Sequence, residues 1–273
     1  MRQQRNFLLL ERDEFKDWLD KQNVNRTIKY LQVHHTASPN YTTRKHQDEF
    51  KCLEGMRDYH MITNGWSATG QNITTFENGK IAISLDRDLN KTPAGIGGFN
   101  TANMCIENIG NFDKNGDIMT DEQKKTIVHL YACLAKKFNI PVDTDHIVYH
   151  AWYDVNGKRL SDYIPGKSKK TCPGNAWFED GNTIAAANKG FIPAIKAELE
   201  RLSKPIVPAP PSSQTISKDD EQVDKVKIVH TKDNTLLDGF MKDNKNYVCV
   251  DDLKEKGLIK ATWDNINKKL YVS

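Results

Sequence analysis

Two short apolar runs in this chain each end in histidine. Ile28 to His35 closes on Val33-His34-His35-Thr36, and Asp145 to His150 closes on Ile147-Val148-Tyr149-His150. Further along, a lone cysteine stands in Lys169-Lys170-Thr171-Cys172-Pro173-Gly174. Two imidazoles and a thiolate make a three-ligand zinc site whose fourth position is left to water, the open arrangement of catalytic rather than structural zinc. A fold that joins these three points must bring together side chains far apart in the chain. Neighbours along a strand face opposite ways, so His34 and His35 cannot both aim at one ion, and alternation alone does not choose between them. The competing reading of either is a hydrogen-bonded structural histidine at a strand end.

The other cysteines support this use of Cys172. Cys52, Cys105, Cys133, Cys172 and Cys249 form no CxxC pair and no closely spaced even framework, so reduced thiols are expected rather than disulfides. The first residues, Met1 to Arg12, hold only four consecutive apolar positions. A secretory core needs roughly 7–15 and a membrane span about 20. The expectation is therefore no membrane span and a chain that stays in the cytoplasm of its host until another agent releases it to the cell wall. Secretion by a non-classical route is the alternative. A net charge of +3 suits an anionic partner, but no basic run with interleaved aromatics argues for nucleic acid.

Taken in order, Phe15, Trp18 and Leu19 share one face of an opening amphipathic helix. Residues 42–61 read as helical. Asn72 to Phe76 and Lys80 to Ser84 read as strands joined by a hairpin at Glu77-Asn78-Gly79, where Asn-Gly is a strong turn signal. Pro93 to Gly98 reads as a flexible loop. Asn103 to Gly110 reads as a core strand carrying one acid, Glu107, and a carboxylate in an apolar strand is costly to bury unless paired or used. Thr120 to Gln123 has the pattern of a capping box ahead of a helix with Ile127, Leu130, Tyr131, Leu134 and Phe138 at helical spacing. The segment 151–168, with Trp152, Tyr153 and Tyr163, reads as a loop walling a cleft, and a helix from about Thr183 to Leu202 closes the domain. Alternating helices and strands point to an α/β domain, a mixed central sheet flanked by helices, over residues 1–202. A Pro-rich linker, 203–225, then leads to a small C-terminal α+β module, 226–273, with strands at 227–230, 247–250 and 269–272 and a short helix at 251–256.

Several of these pieces together resemble a known family. His34 in VHHT, His150, and Cys172 in KKTCPG, with Met56-Arg57-Asp58-Tyr59-His60, Asn64-Gly65-Trp66, Gly70-Gln71, Cys105-Ile106-Glu107 and Gly110-Asn111-Phe112-Asp113 in order, resemble the zinc-dependent N-acetylmuramoyl-L-alanine amidases of the amidase-2 type. These share their fold with peptidoglycan recognition proteins and are common as phage endolysins. The resemblance spans about residues 7–200. It implies Zn2+ held by His34, His150 and Cys172, Glu107 as general base, Lys170 as a stabiliser of charge on the substrate carbonyl, and bacterial peptidoglycan as the partner. Other members place a tyrosine where this chain has Gln71, which implies a cleft contact there and not a catalyst. His35, Gln71 and Trp152 are the expected substrate contacts. The C-terminal piece, from Asn246 to Asn265, looks like the small repeat domain found beside copper amine oxidases, and a module in that position implies wall targeting. A non-catalytic peptidoglycan-binding protein and a zinc endopeptidase cutting within the stem peptide are the alternatives.

Overall fold

The computed structural model describes residues 1–203 and, beyond them, the strands at 224–229, 236–242, 245–248, 261–264 and 269–272. In chain order its first elements are β1 (Arg2–Gln4), β2 (Phe7–Leu10), α1 (Arg12–Asp20), β3 (Tyr30–His35) and α2 (Glu49–Asp58). A π-helical turn (Tyr59–Thr63) precedes β4 (Ile73–Thr75), β5 (Ile81–Ser84), β6 (Asn103–Asn108), α3 (Asp121–Phe138) and β7 (Ile147–Tyr149). Helices α4 (Ile184–Lys189) and α5 (Phe191–Ser203) follow. The chain divides into two compact units, Met1–Pro205 and Ile206–Ser273.

Seven strands make one sheet in the order β1-β2-β5-β4-β6-β3-β7. The β1, β2, β5, β4 end is antiparallel, whereas β6 runs parallel to both β4 and β3, and β3 parallel to β7. This is the mixed, helix-flanked sheet of an α/β domain. Side chains alternate across a strand, and the two faces carry different partners. Leu31, Val33, Met104, Ile106, Ile147 and Tyr149 join α1, α3 and α5 in the larger core, with Phe15, Leu130, Tyr131 and Phe191 fully buried there. On the other face, Phe7, Leu9, Phe76 and Ala82 pack against Phe50, Leu53 and Met56 of α2. That second cluster covers only the antiparallel end, so the parallel centre of the same face is left for polar side chains.

Local chemistry explains most element ends. The β4–β5 hairpin turns at Asn78-Gly79, where Gly79 has φ 82° and its N–H donates to Phe76 O at 2.9 Å. Thr120 caps α3 by accepting from Gln123 N at 3.1 Å. Gln123 does not close a capping box. Its side chain turns inward and donates to Ile109 O at 2.9 Å, tying α3 to the end of β6.

Four further readings need correction. Residues 42–46 form turns, and the helix begins only at Glu49, capped by Asp48 accepting from Lys51 N. The Pro93–Gly98 loop is pinned, with Ile96 fully buried and its N–H donating to Gln32. The expected closing helix is two helices broken at Gly190, where a Cβ would lie 2.2 Å from Asp180 Oδ2. Trp152 does not wall a cleft: it is fully buried, stacked on Tyr149 at 4.4 Å, with its Nε1 donating to Asn182 O. An indole with one polar atom is well placed in a core when that atom finds a partner. Within the second unit, the strands at 224–229, 236–242 and 245–248 form an antiparallel sheet, and 261–264 pairs with 269–272. Residues 204–223 of the expected linker (203–225) and the expected helix at 251–256 lie outside the described residues. Among the described residues no helix is long and apolar enough to cross a membrane.

Because Trp152 is core, Trp152→Ala should lower the unfolding free energy by about 3–5 kcal/mol. A urea unfolding curve that barely moves would show that this ring is not part of the packing.

Candidate metal centre

The register of the parallel strands assembles most of the site. His34 on β3 lies opposite Glu107 on β6, which lies opposite Thr74 on β4. Cross-strand partners share a face, so these three project together. Val148 pairs with Gln32 on β3, and His150, two residues further on, continues along that face in the turn after β7. His34 and His150 are almost fully buried. Their rings meet edge to face with centroids 4.9 Å apart.

Cys172 arrives on a loop held from two sides. Its carbonyl accepts from Ala151 N at 2.7 Å, so the cysteine runs beside the turn carrying His150. Thr171 Oγ1 donates to Asp113 Oδ2 at 3.0 Å and Asn175 N to Asp113 Oδ1 at 3.1 Å. Gly174, at φ 115°, lies so close to Phe112 that a Cβ would be 2.2 Å from its carbonyl oxygen. The Cys-Pro-Gly run therefore docks on the Phe112-Asp113 turn, and only glycine permits the approach.

His150 Nδ1 lies 3.2 Å from His34 Nδ1, and Cys172 Sγ lies 3.6 Å from the same atom. Two neutral imidazole nitrogens at that distance repel unless a proton or a cation lies between them. Tetrahedral zinc with Zn–N about 2.0–2.1 Å and Zn–S about 2.3 Å sets its ligand atoms about 3.3 Å (N to N) and about 3.6 Å (N to S) apart. The donor set and its spacing fit zinc. Glu107 stands beside it, Oε1 3.9 Å from His34 Nδ1, with Oε2 buried and without a partner among the described residues. His34, Glu107 and His150 line a cavity of about 900 Å³, together with Lys169, Lys170, Gln71 and Trp66.

The electrostatics follow from burial. His34 is held well below the ordinary imidazole range by burial, with His150 and Lys170 adding to the effect. His150 is pushed down to about 3, again mainly by burial, then by Lys170. Neutral imidazoles are the ligating form. Burial raises the Cys172 thiol, as does Glu107, while a hydrogen bond from His35 N to Sγ at 3.3 Å opposes them. Burial lifts the Glu107 carboxyl to about 8 although Lys170 pulls it the other way.

The remaining candidate residues divide. His35 faces away from the cluster, its Nδ1 accepting from Phe112 N at 3.1 Å, and its ring borders the cavity. Gln71 is buried, donates to Thr74 Oγ1 at 3.0 Å and leaves its Oε1 without a partner among the described residues. Lys170 is exposed at the cavity mouth. Trp152 is absent from the lining, being part of the core. Sequence reasoning passed over Gln32, whose Oε1 lies 3.1 Å from His34 Nε2, and Gly95, where a Cβ would lie 3.1 Å from the same atom. The signal was there: Gln32 is a polar residue in an apolar strand, two positions before His34 and so on its face.

A histidine kept neutral by the fold takes up its proton more readily when unfolded, so its contribution to stability is lost as pH falls below about 6.5, the unfolded value. Glu107 acts in the opposite sense between about 4.5 and 8, where the folded form holds the extra proton. In chelator-treated protein, His150→Gln should therefore flatten the loss of stability between pH about 6 and about 4, by up to ~1.4 kcal/mol per pH unit relative to wild type. Parallel pH profiles of urea unfolding would refute a neutral buried His150.

Comparison with known proteins bears on the same region. Residues 24–175 match the family model described as N-acetylmuramoyl-L-alanine amidase. Among solved structures, Drosophila PGRP-LB is 19% identical over 56% of this chain and 78% of its own, with a TM-score of 0.42. The amidase LysC from Clostridium intestinale URNW is 22% identical over 64% and 87%, TM-score 0.41. The Ph2119 endolysin from the Thermus scotoductus MAT2119 bacteriophage Ph2119 is 23% identical over 64% and 95%, TM-score 0.40. No curated protein sequence matches the chain. The family match ends before the C-terminal unit, and the likeness of that unit to the repeat domain beside copper amine oxidases gains no support from these comparisons. The matched span covers more than half of the chain and contains His34, Glu107, His150, Lys170 and Cys172, and on that match the protein belongs to the N-acetylmuramoyl-L-alanine amidase family.

Proposed function

We propose that this chain is a zinc-dependent amidase of bacterial peptidoglycan, hydrolysing the bond between the lactyl group of N-acetylmuramic acid and L-alanine of the stem peptide. The observation that carries the reading is the convergence of two imidazole Nδ1 atoms and a thiol, at separations suited to zinc, beside a carboxyl group on the floor of a cleft. His34, His150 and Cys172 would hold the ion, which when bound would supply Lewis acidity to polarise a carbonyl and to lower the pKa of water so that hydroxide is available at neutral pH.

The chain's own residues supply the rest. Glu107 accepts a proton from the attacking water and returns it to the leaving amine nitrogen, a role that suits a carboxyl whose second oxygen has no partner among the described residues. Lys170 at the mouth favours the ionised form of Glu107 and offers positive charge to the oxyanion. Gln71 and His35 border the space a stem peptide would fill. The C-terminal unit, which follows the catalytic unit and the Pro-rich segment in the sequence, serves as a wall-targeting module.

Glu107→Gln should keep full zinc content and lower cleavage of purified walls by about 10²–10⁴-fold, whereas Cys172→Ser should lose metal and activity together. Retained cleavage by the Glu107 variant would remove it as base. Mass analysis of the products should find free lactyl ends and new N-terminal alanine; cuts elsewhere in the stem peptide would make the protein an endopeptidase.

The targeting role predicts that a chain ending at Ser203 still cleaves soluble muropeptide but sediments poorly with intact walls. Equal sedimentation of the short and full-length chains would refute it.

A further inference from the structure

Gln32 precedes His34 by two residues on β3 and projects from the same face, fully buried. A buried primary amide needs partners for both its oxygen and its nitrogen, and Gln32 has them. Nε2 donates to Phe99 O at 2.5 Å and lies 3.5 Å from Asn100 Oδ1. Oε1 accepts from Ile96 N at 3.2 Å and faces His34 Nε2 at 3.1 Å.

The two ends of a side-chain amide are hard to tell apart by shape, but these neighbours settle the matter. The Ile96 N–H can only donate and the Phe99 carbonyl can only accept, so the oxygen is the end turned to the histidine. An oxygen there calls for a proton on His34 Nε2. A neutral imidazole protonated at Nε2 carries its lone pair on Nδ1, the atom that faces His150 and Cys172.

Gly95 is the other half of the arrangement. A Cβ at this position would lie 2.1 Å from Gln32 Oε1, 2.9 Å from Cys105 Sγ and 3.1 Å from His34 Nε2. Glycine is needed for closeness alone, because its loop lies directly on the Gln32–His34 contact. His150 has no matching support: its Nε2 is buried and without a partner among the described residues.

We propose that Gln32 is a positioning residue of the metal centre: its side-chain oxygen holds His34 in the tautomer that presents Nδ1 to a metal, and its nitrogen ties that ring to the 95–100 loop. The metal role rests on the zinc reading above, while the tautomer rests on hydrogen-bond geometry alone.

The test uses the full-length chain. Zinc affinity, measured by chelator competition, should fall about 10–100-fold in Gln32→Met, the range for loss of a partner behind a ligating histidine. Gln32→Glu keeps an acceptor for both His34 Nε2–H and Ile96 N–H and should bind zinc close to wild type, although it cannot donate to Phe99 O. A role in packing alone would not be rescued in this way. Gly95→Ala, which crowds the oxygen without removing it, should weaken zinc in the same direction, and it keeps the idea testable if the methionine variant folds poorly. In metal-stripped, ¹⁵N-histidine-labelled wild type, long-range ¹H–¹⁵N correlation should place the His34 proton on Nε2. Wild-type zinc affinity in Gln32→Met, or a His34 proton on Nδ1 in the wild type, overturns the proposal. Wild-type protein that takes up no zinc overturns the zinc reading and the metal role of Gln32 together, and the tautomer spectrum separates that result from a failure of the hydrogen bond.

Discussion

The parallel pairing of β3 with β6 on one side and β7 on the other is the constraint on which the site depends. A shift of one residue in either pairing would turn the opposing side chains to the wrong face. In the observed register His34, Glu107 and Thr74 form one row across the sheet, and His150 extends the same face from the end of β7. The register is held by the opposite face, where Leu31, Val33, Met104, Ile106, Ile147 and Tyr149 must all enter the core with α3 and α5. Apolar packing on one side of the sheet thus decides which polar groups meet on the other.

That division has an energetic cost. The centre of the cleft face gathers Gln32, His34, Cys105, Glu107, Thr74 and His150, nearly all removed from water. Polar groups in such a place must find partners or go unsatisfied. Gln32 is satisfied and Thr74 accepts from Gln71, but His150 Nε2, Glu107 Oε2 and Gln71 Oε1 find no partner among the described residues. Other buried atoms of the domain share that condition, Tyr149 Oη and Trp177 Nε1 among them, but these three belong to residues that line one cavity.

Much of this was legible in the residues because it is local. The hairpin at Asn78-Gly79, the cap at Thr120, the helical spacing in α3 and the apolar runs ending in histidine each announce themselves within a few positions. The choice between His34 and His35 was not, since it depends on which strands flank β3 and in what register. Trp152 was misread because a polar loop surrounds it, while its stacking partner Tyr149 and its acceptor Asn182 are supplied by the fold. The break at Gly190 depends on Asp180, ten residues earlier and in another element. Gln32 could have been noticed as a polar residue among apolar ones, but its partners Ile96 and Phe99 come from a loop that reads as featureless.

The stretch between His150 and Cys172 has a closed neck. Lys169 N donates to Tyr153 O at 2.9 Å, and Tyr153 bridges to Arg159 just inside. Whatever lies beyond that neck is held at both ends before it reaches the donor atoms. Lengthening a closed loop adds an entropic penalty that grows only with the logarithm of its length. Inside the neck Leu160 N donates to Trp152 O and Asp162 Oδ1 accepts from Ile184 N, so the exposed tip at 165–167 is where added residues would least disturb the backbone that leads on to Cys172.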